Sequence, residues 1–320
     1  MINSVATDIT PRASPRTKEV LIKYKETRSR LFQQAGIAPS STFITTHDSI
    51  GRIHYLELGD GPPLVIIHGG LSHSSEWINI LGPLARHFHL YVVDRPGHGL
   101  SDSIDYRGID FRSSAVAFVR SFMDTIGLEK ALLMGNSMGG YFSLCFALAH
   151  PERVEKLLLI GAPAGLNRWI PPMLRVLGIS GLNRLLMKTV AKPSVASQKS
   201  IHRQLLVADV SKLSDDYFKH NYYGHLLPGA QVAMSTLLES VLTVRGWRKE
   251  LYLAHELDQL PMPVHFVWGD RDAFESPTTG IQKASIISNH TFEVVSSAGH
   301  CPWLDQPEPC VSLVLNALSK

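Results

Sequence analysis

One stretch, Ala131-Leu132-Leu133-Met134-Gly135-Asn136-Ser137-Met138-Gly139-Gly140, limits what this chain can fold into more than any other. An apolar run delivers the chain to a G-x-S-x-G turn, and the small and apolar segment from Tyr141 to Ala149 carries it away with the composition of a helix. The order is strand, sharp turn, helix. Strand and helix pass so close at such a turn that only residues without bulky side chains can flank the serine. The hydroxyl of Ser137 then projects from the turn with a helix N-terminus behind it, as a nucleophile requires.

The rest of the chain supplies a setting for that turn. Short apolar runs bounded by breakers read as buried strands at Leu64–Ile67, Leu90–Val93, Ala131–Met134, Lys156–Ile160, Val264–Trp268 and Thr291–Val295. Helical stretches separate them, roughly 75–86, 110–126, 138–149, 278–288 and 307–318. Strands alternating with helices imply right-handed crossovers and an α/β fold, a mostly parallel central sheet with helices on both faces. Ahead of it, Thr42–Thr46 and Arg52–Leu58 read as an antiparallel hairpin joined through His47–Gly51. Residues 1–16 read as a tail, and Val20, Leu21, Tyr24, Leu31 and Phe32 recur at helical spacing from Thr17 to Ala35, a helix expected to pack on the outside of its own domain. Between Ile160 and Val264 the rhythm breaks. Helical periodicity punctuated by Pro171-Pro172, Gly178, Gly181, Pro193 and Pro228 predicts a helical insertion, since a structureless loop of that length does not suit a compact protein. The expected organisation is therefore a tail and amphipathic helix over 1–41, a sheet domain over 42–162 and 261–320, and a helical lid over 163–260.

Charge and cysteine content exclude several classes. With 31 basic and 28 acidic side chains among 320 residues, the chain has no bulk charge for nucleic acid, and a small-molecule substrate is the expected partner; a homodimer is left open. Cys145, Cys301 and Cys310 are odd in number and lack metal-ligand spacing, so no disulfide framework or zinc site is expected. No run approaches the roughly 18 apolar residues of a membrane span, and the first 30 residues lack the apolar core of a signal peptide. A cytoplasmic protein is expected.

A serine hydroxyl needs a base within hydrogen-bond reach and a third group to orient that base. Among 15 histidines, His300 is distinguished by position, in Ser297-Ala298-Gly299-His300 straight after the last strand, at the carboxyl end of the sheet where ligands of open α/β folds bind. The turn after Val264–Trp268, Gly269-Asp270-Arg271-Asp272, offers two acids. The oxyanion formed on attack needs preorganised donors, and Met138 N–H at the helix start is one. The other belongs to the turn His68-Gly69-Gly70-Leu71, at Gly70 or next to it at Leu71. His68 itself reads as a structural residue of that turn. Leu71, Asn136, Trp169 and Trp303 are the expected substrate contacts.

Taken together, His68-Gly69-Gly70, Asp94-Arg95-Pro96-Gly97-His98-Gly99-Leu100-Ser101-Asp102, Gly135–Gly140, Gly269–Asp272 and Gly299-His300 resemble the α/β-hydrolase family over about residues 42–320. The resemblance implies the α/β-hydrolase fold with a lid after the strand at Lys156–Ile160, and selects Asp272, the G-x-x-D position, over Asp270, which becomes a turn-former. It also implies that Asp94 and His98 are structural. Gly-Asn-Ser-Met-Gly-Gly looks most like hydrolases that cleave carbon-carbon bonds in ring-opened aromatic dienoates. The chain departs from them in two places: Cys301 follows His300 where they carry tryptophan, with Trp303 two further on, and His220-Asn221-Tyr222-Tyr223 stands where they carry a lid arginine. The serine at 137 argues against the branches with an aspartate nucleophile. A carboxylic ester hydrolase that works through an acyl-enzyme, with no metal or organic cofactor, is thus the first expectation. The alternatives are a carbon-carbon bond hydrolase and a ligand-sensing protein on the same scaffold.

The lid carries a charge pattern of its own. From Pro163 to Ala208 there is no acidic residue, while Arg168, Arg175, Arg184, Lys188, Lys192, Lys199 and Arg203 are basic. Trp169, Met173, Leu174, Leu177, Leu182, Leu185 and Leu186 form an apolar stripe, expected to line an acyl or aromatic pocket.

Overall fold

The computed structural model describes residues 14–46, 50–168, 170–189 and 192–319. Trp169 and the centre of the hairpin connection, 47–49, lie outside the described residues.

Eight strands form one sheet: β1 (Ser40–Thr45), β2 (Arg52–Leu58), β3 (Pro63–Ile67), β4 (His89–Val93), β5 (Ala131–Asn136), β6 (Val154–Ile160), β9 (Val264–Gly269) and β10 (His290–Val295); β7 (Leu242–Thr243) and β8 (Gly246–Trp247) make a separate ribbon. The spatial order is β1-β2-β4-β3-β5-β6-β9-β10, antiparallel from β1 to β4 and parallel beyond. From β3 the chain crosses to β4 on one side and then to β5 on the other. The carboxyl ends of β3 and β5 therefore flank the point where the winding reverses, which opens a crevice there. The central strands β3, β5 and β6 are buried almost throughout, as their apolar runs require. β10 differs: it is an edge strand in which only Val295 is buried, so its alternation in Thr291-Phe292-Glu293-Val294-Val295 reflects one covered face and not two.

Helices α2 (Ile78–Ala85), α3 (Phe111–Thr125), α4 (Met138–Ala149), α10 (Pro277–Ala284), α11 (Pro302–Asp305) and α12 (Pro307–Leu318) cover the sheet. Asp110 caps α3 by accepting Ser113 N–H at 3.2 Å, and Ser276 caps α10 through Thr279 N–H at 3.3 Å. Between β6 and β9 run α5 (Pro172–Val176), α6 (Leu182–Lys188), α7 (Val195–Ile201), α8 (Asp215–Leu226) and α9 (Ala230–Val241), with the β7–β8 ribbon, which the helical periodicity alone did not disclose.

The N-terminal helix α1 (Pro15–Gln34) bridges two regions and does not merely coat the sheet. Tyr24 stacks on His220 of α8 at 4.4 Å, Thr27 Oγ1 lies 3.1 Å from His220 Nδ1, and Arg30 pairs with Asp216 at 3.2 Å. On its other side, the Arg28 guanidinium donates to Ser41 Oγ of β1 at 3.1 Å and lies 3.3 Å from His54 Nε2 of β2. Among the described residues no helix is long and apolar enough to cross a membrane.

Candidate active site

Ser137 sits between β5 and α4 with φ 50°; the only other non-glycine residue with positive φ among those described is Ser297, at 54°, in the loop leading to His300. A side chain held in that region costs about 1–3 kcal/mol, so the surroundings must enforce it. They do. A Cβ added to Gly139 would lie 2.0 Å from the Ile67 carbonyl oxygen, and one on Gly135 would lie 2.6 Å from that of Gly139. The Ser137 carbonyl is held from two sides, by Tyr141 N–H at 3.0 Å and Ala164 N–H at 2.9 Å.

His300 is buried, and its Nδ1 lies 2.9 and 3.0 Å from the two carboxylate oxygens of Asp272. That carboxylate also accepts Ala162 N–H at 2.9 Å and Phe274 N–H at 2.9 Å, so three donors fix its plane. The Phe274 ring packs 4.3 Å from the imidazole. With Nδ1–H given to Asp272, Nε2 carries the free lone pair; it has no hydrogen-bond partner among the described residues, and His300 and Ser137 line one cavity. Asp270 does other work: its Oδ1 accepts Ala298 N–H at 3.0 Å, closing the turn that carries Asp272 against the histidine loop.

The turn after β3 is held from behind by its carbonyls. Arg95 donates to His68 O at 3.2 Å and Gly69 O at 2.7 Å, while its own N–H donates to His68 Nε2 at 3.0 Å. Burial, and then the Arg95 charge, lower the His98 pKa to about 3. Its single N–H thus serves either Gly70 O at 3.1 Å or Pro96 O at 3.0 Å. With the carbonyls tied back, the N–H groups of Gly70, Leu71 and Met138 find no acceptor among the described residues. Gly70 and Met138 are neighbours, since a Cβ on Gly70 would lie 3.8 Å from that of Met138. Asp94 braces the same floor: burial opposes its ionisation, but contact with His54 (2.6 Å) outweighs it and holds the carboxyl well below the usual range.

Above these groups lies a cavity of about 510 Å³, walled by Leu174, Leu177 and Leu186 from the segment after β6, by Met234 and Leu237 of α9, and by Trp247. No arginine or lysine lines it among the described residues. Leu182 and Leu185, expected in the same apolar lining, are instead 37% and 59% exposed.

One expected substrate contact needs correction. Trp303 does not line the cavity: it is fully buried, stacked at 4.0 Å on Trp77, and its Nε1 donates to Glu76 O at 3.0 Å. The short helix α11 turns it into the core although it is only three residues from His300. Asn136 lines the cavity, yet its Nδ2 is committed to the carbonyls of Ile160 (2.7 Å) and His300 (3.2 Å). Leu71 borders the cavity; Trp169 lies outside the described residues. Glu76, His225 and Phe274 also line the cavity, and sequence reasoning missed all three. Only Phe274 left a local trace, as the residue two after an aspartate that bonds forward to its N–H.

A serine on a strained strand-to-helix turn, beside a histidine held by an aspartate at the switch point of a mostly parallel sheet, defines an α/β-hydrolase fold. Residues 62–177 match the model of the alpha/beta hydrolase fold family. The chain is 30% identical over 272 residues, 83% of its length and 91% of the relative's, to a 2-hydroxy-6-oxononadienedioate/2-hydroxy-6-oxononatrienedioate hydrolase of Pseudomonas putida. Among solved structures it superposes on carboxylesterase CesB of Bacillus subtilis (TM-score 0.72, 22% identity, 94% of this chain and 98% of that one). It also superposes on a meta-cleavage product hydrolase of Pseudomonas fluorescens (TM-score 0.70, 21% identity, 87% and 97%). The chain belongs to the α/β-hydrolase family.

Proposed function

We propose that this chain is a serine hydrolase that cleaves carboxylic esters of uncharged, largely apolar substrates, with the segment 163–260 as its lid. Ser137 attacks the ester carbonyl as His300 Nε2 takes its proton, while Asp272 holds the imidazole in the competent tautomer. Met138 N–H and Gly70 N–H receive the oxyanion, Leu71 N–H being the alternate. His300 returns the proton to the leaving alcohol, then activates the water that releases the acyl group from Ser137. The observation that carries the substrate class is the wall above the serine, apolar and without a cation among the described residues.

A second reading, hydrolysis of a carbon-carbon bond in a ring-opened dienoate, is favoured by the Pseudomonas putida relative. It uses the same serine and histidine but needs a partner for a substrate carboxylate. The three buried, unpaired thiols, Cys145, Cys301 and Cys310, support a cytoplasmic setting.

The deciding test compares p-nitrophenyl esters of increasing acyl length with one ring-opened aromatic dienoate, in the native chain and in Ser137→Ala. Multiple turnover of the esters, lost in the variant, is the expected result. Preference for the dienoate would overturn the ester assignment in favour of the second reading, and folded protein silent on the whole panel would count against both.

A further inference from the structure

One carboxyl in the cavity wall has no part in the mechanism above. Glu76 lies on a 3-10 turn, Ser74–Trp77, whose backbone is pinned by Trp303 Nε1 at Glu76 O (3.0 Å) and by Ser74 N–H at Asp94 Oδ1 (2.6 Å). The turn cannot easily swing the side chain away. Glu76 is 2% exposed, lines the same cavity as Ser137, His300 and Cys301, and its Oε2 has no hydrogen-bond partner among the described residues. The nearby Ser72 hydroxyl donates to His73 O at 3.3 Å.

A carboxylate buried without a cation is costly, and such a group answers by keeping its proton. Burial pushes the Glu76 carboxyl up to about 7, with Ser72, His300 and Arg95 pulling only partly the other way. In neither protonation state does it supply a counter-charge for an anion. A neutral acid offers a single donor and no charge, and an ionised one repels. The remaining lining does not compensate. Among the described residues it holds no lysine or arginine, and burial lowers the pKa of His225 to about 4, which leaves that imidazole uncharged near neutrality. A neutral substrate oxygen meets a different situation, because the acid can donate to it without either partner losing charge hydration.

We propose that Glu76 is a specificity-determining residue: beside His300 it admits substrates bearing an uncharged carbonyl or hydroxyl oxygen and rejects those bearing a carboxylate. This deepens the ester-hydrolase reading and rests on it. It separates the chain from relatives whose names specify dioate substrates. Recognition of this sort discriminates strongly, since a buried polar wall group left unpaired, or faced with like charge, costs more than a missing methylene.

The test uses three p-nitrophenyl esters with five-carbon acyl chains: pentanoate, 4-oxopentanoate and hydrogen glutarate. The native chain should favour the two neutral esters over the anionic one by at least about a hundredfold in kcat/KM, with 4-oxopentanoate first. In Glu76→Gln, which cannot ionise but still donates, the ratio of glutarate to pentanoate should rise more than fivefold. In Glu76→Met the same ratio should rise and the advantage of the keto ester over pentanoate should vanish. A merely structural role would lower all three substrates together and leave the ratios in place. Ratios within fivefold of the native values in whichever variant folds overturn the proposal. Should the native chain turn over none of the esters, the hydrolase reading fails by itself. Binding of methyl 4-oxopentanoate and methyl hydrogen glutarate to Ser137→Ala, with and without Glu76→Gln, then decides the role of Glu76 alone: equal discrimination in the two proteins sinks it.

Discussion

Asn136 Nδ2 donates to the carbonyl oxygen of His300 at 3.2 Å and to that of Ile160 at 2.7 Å. One buried amide thus fastens the Ser137 turn to the His300 loop across β6. Asn136→Ala strands two buried acceptors, at a cost of about 1–3 kcal/mol, and loosens the spacing between Ser137 and His300. The expected outcome is a lowered melting temperature together with a fall in kcat of at least about tenfold on p-nitrophenyl esters. Asn136→Asp, which turns an acceptor toward two acceptors, should be worse. A variant that melts earlier with unchanged kcat would show that the link serves stability only.

Asp272→Asn tests the orienting role. The amide keeps the shape, but its one oxygen can accept from only one of Ala162 N–H and Phe274 N–H, which bond to different carboxylate oxygens, and it invites the wrong imidazole tautomer, with the proton on Nε2. We expect kcat to fall by about 10⁴ with KM little changed and the fold intact by circular dichroism. A loss below about tenfold would mean that Asp272 is not the orienting acid, and Asp270→Asn, expected to act mainly on stability, would become the variant to measure.

The parts of this site that were legible in the sequence are those fixed by local backbone. Ser137, His300 and the acid turn each sit in a glycine-marked loop directly after an apolar run, and the resemblance to a known family selected Asp272 between two neighbours. Glu76 was illegible because its burial comes from residues far away in the chain, Trp303 above all. Trp303 was misread for the converse reason: nearness to His300 in sequence said nothing of the direction in which a four-residue helix would turn it. The amphipathic pattern of α1 announced a buried stripe but not what would cover it, since α8 lies some two hundred residues further on. Leu182, Leu185 and Leu186 share one short helix, α6, yet only Leu186 reaches the cavity while the other two are exposed, so helical spacing alone did not show which side of that helix is covered.

Acid should unfold this protein early. His54, His68, His73, His98, His202 and His220 are buried, and desolvation is the largest cause of a lowered pKa in each. Below about 6.5 the unfolded chain takes protons on these imidazoles that the folded chain refuses, so stability falls with pH. The window runs from there down to the folded values, about 4 for His73 and His202. Glu76 and Glu275, whose carboxyls are raised mainly by burial, act in the opposite sense as pH rises above about 4.5. The six imidazoles outnumber them. Each net proton is worth at most about 1.4 kcal/mol per pH unit, so the melting temperature should drop by on the order of 10 °C between pH 7 and pH 5. A flat profile across that range would mean that the histidines are solvated or protonated in the native state.

The last expectation concerns α1, which touches both sides of the cavity-bearing fold. Tyr24 is fully buried, with its ring 4.4 Å from His220 on α8 and 5.5 Å from His73 beside the Glu76 turn. Arg28 reaches β1 and β2 from the next turn of the same helix. Removing the Tyr24 ring takes away apolar burial and leaves a void between two imidazole rings, for which about 3–5 kcal/mol is the usual cost of an aromatic-to-alanine change. Because the void lies between α8 and the turn that carries Glu76, Tyr24→Ala should also raise KM for long acyl esters more than for short ones. Tyr24→Phe is the control, since the phenol oxygen has no hydrogen-bond partner among the described residues and its loss should cost little. Equal melting temperatures for Tyr24→Ala and Tyr24→Phe would mean that the helix is only laid on the surface; a large difference between them, with the KM effect confined to long esters, would mean that α1 straps the segment bearing α8 to the sheet.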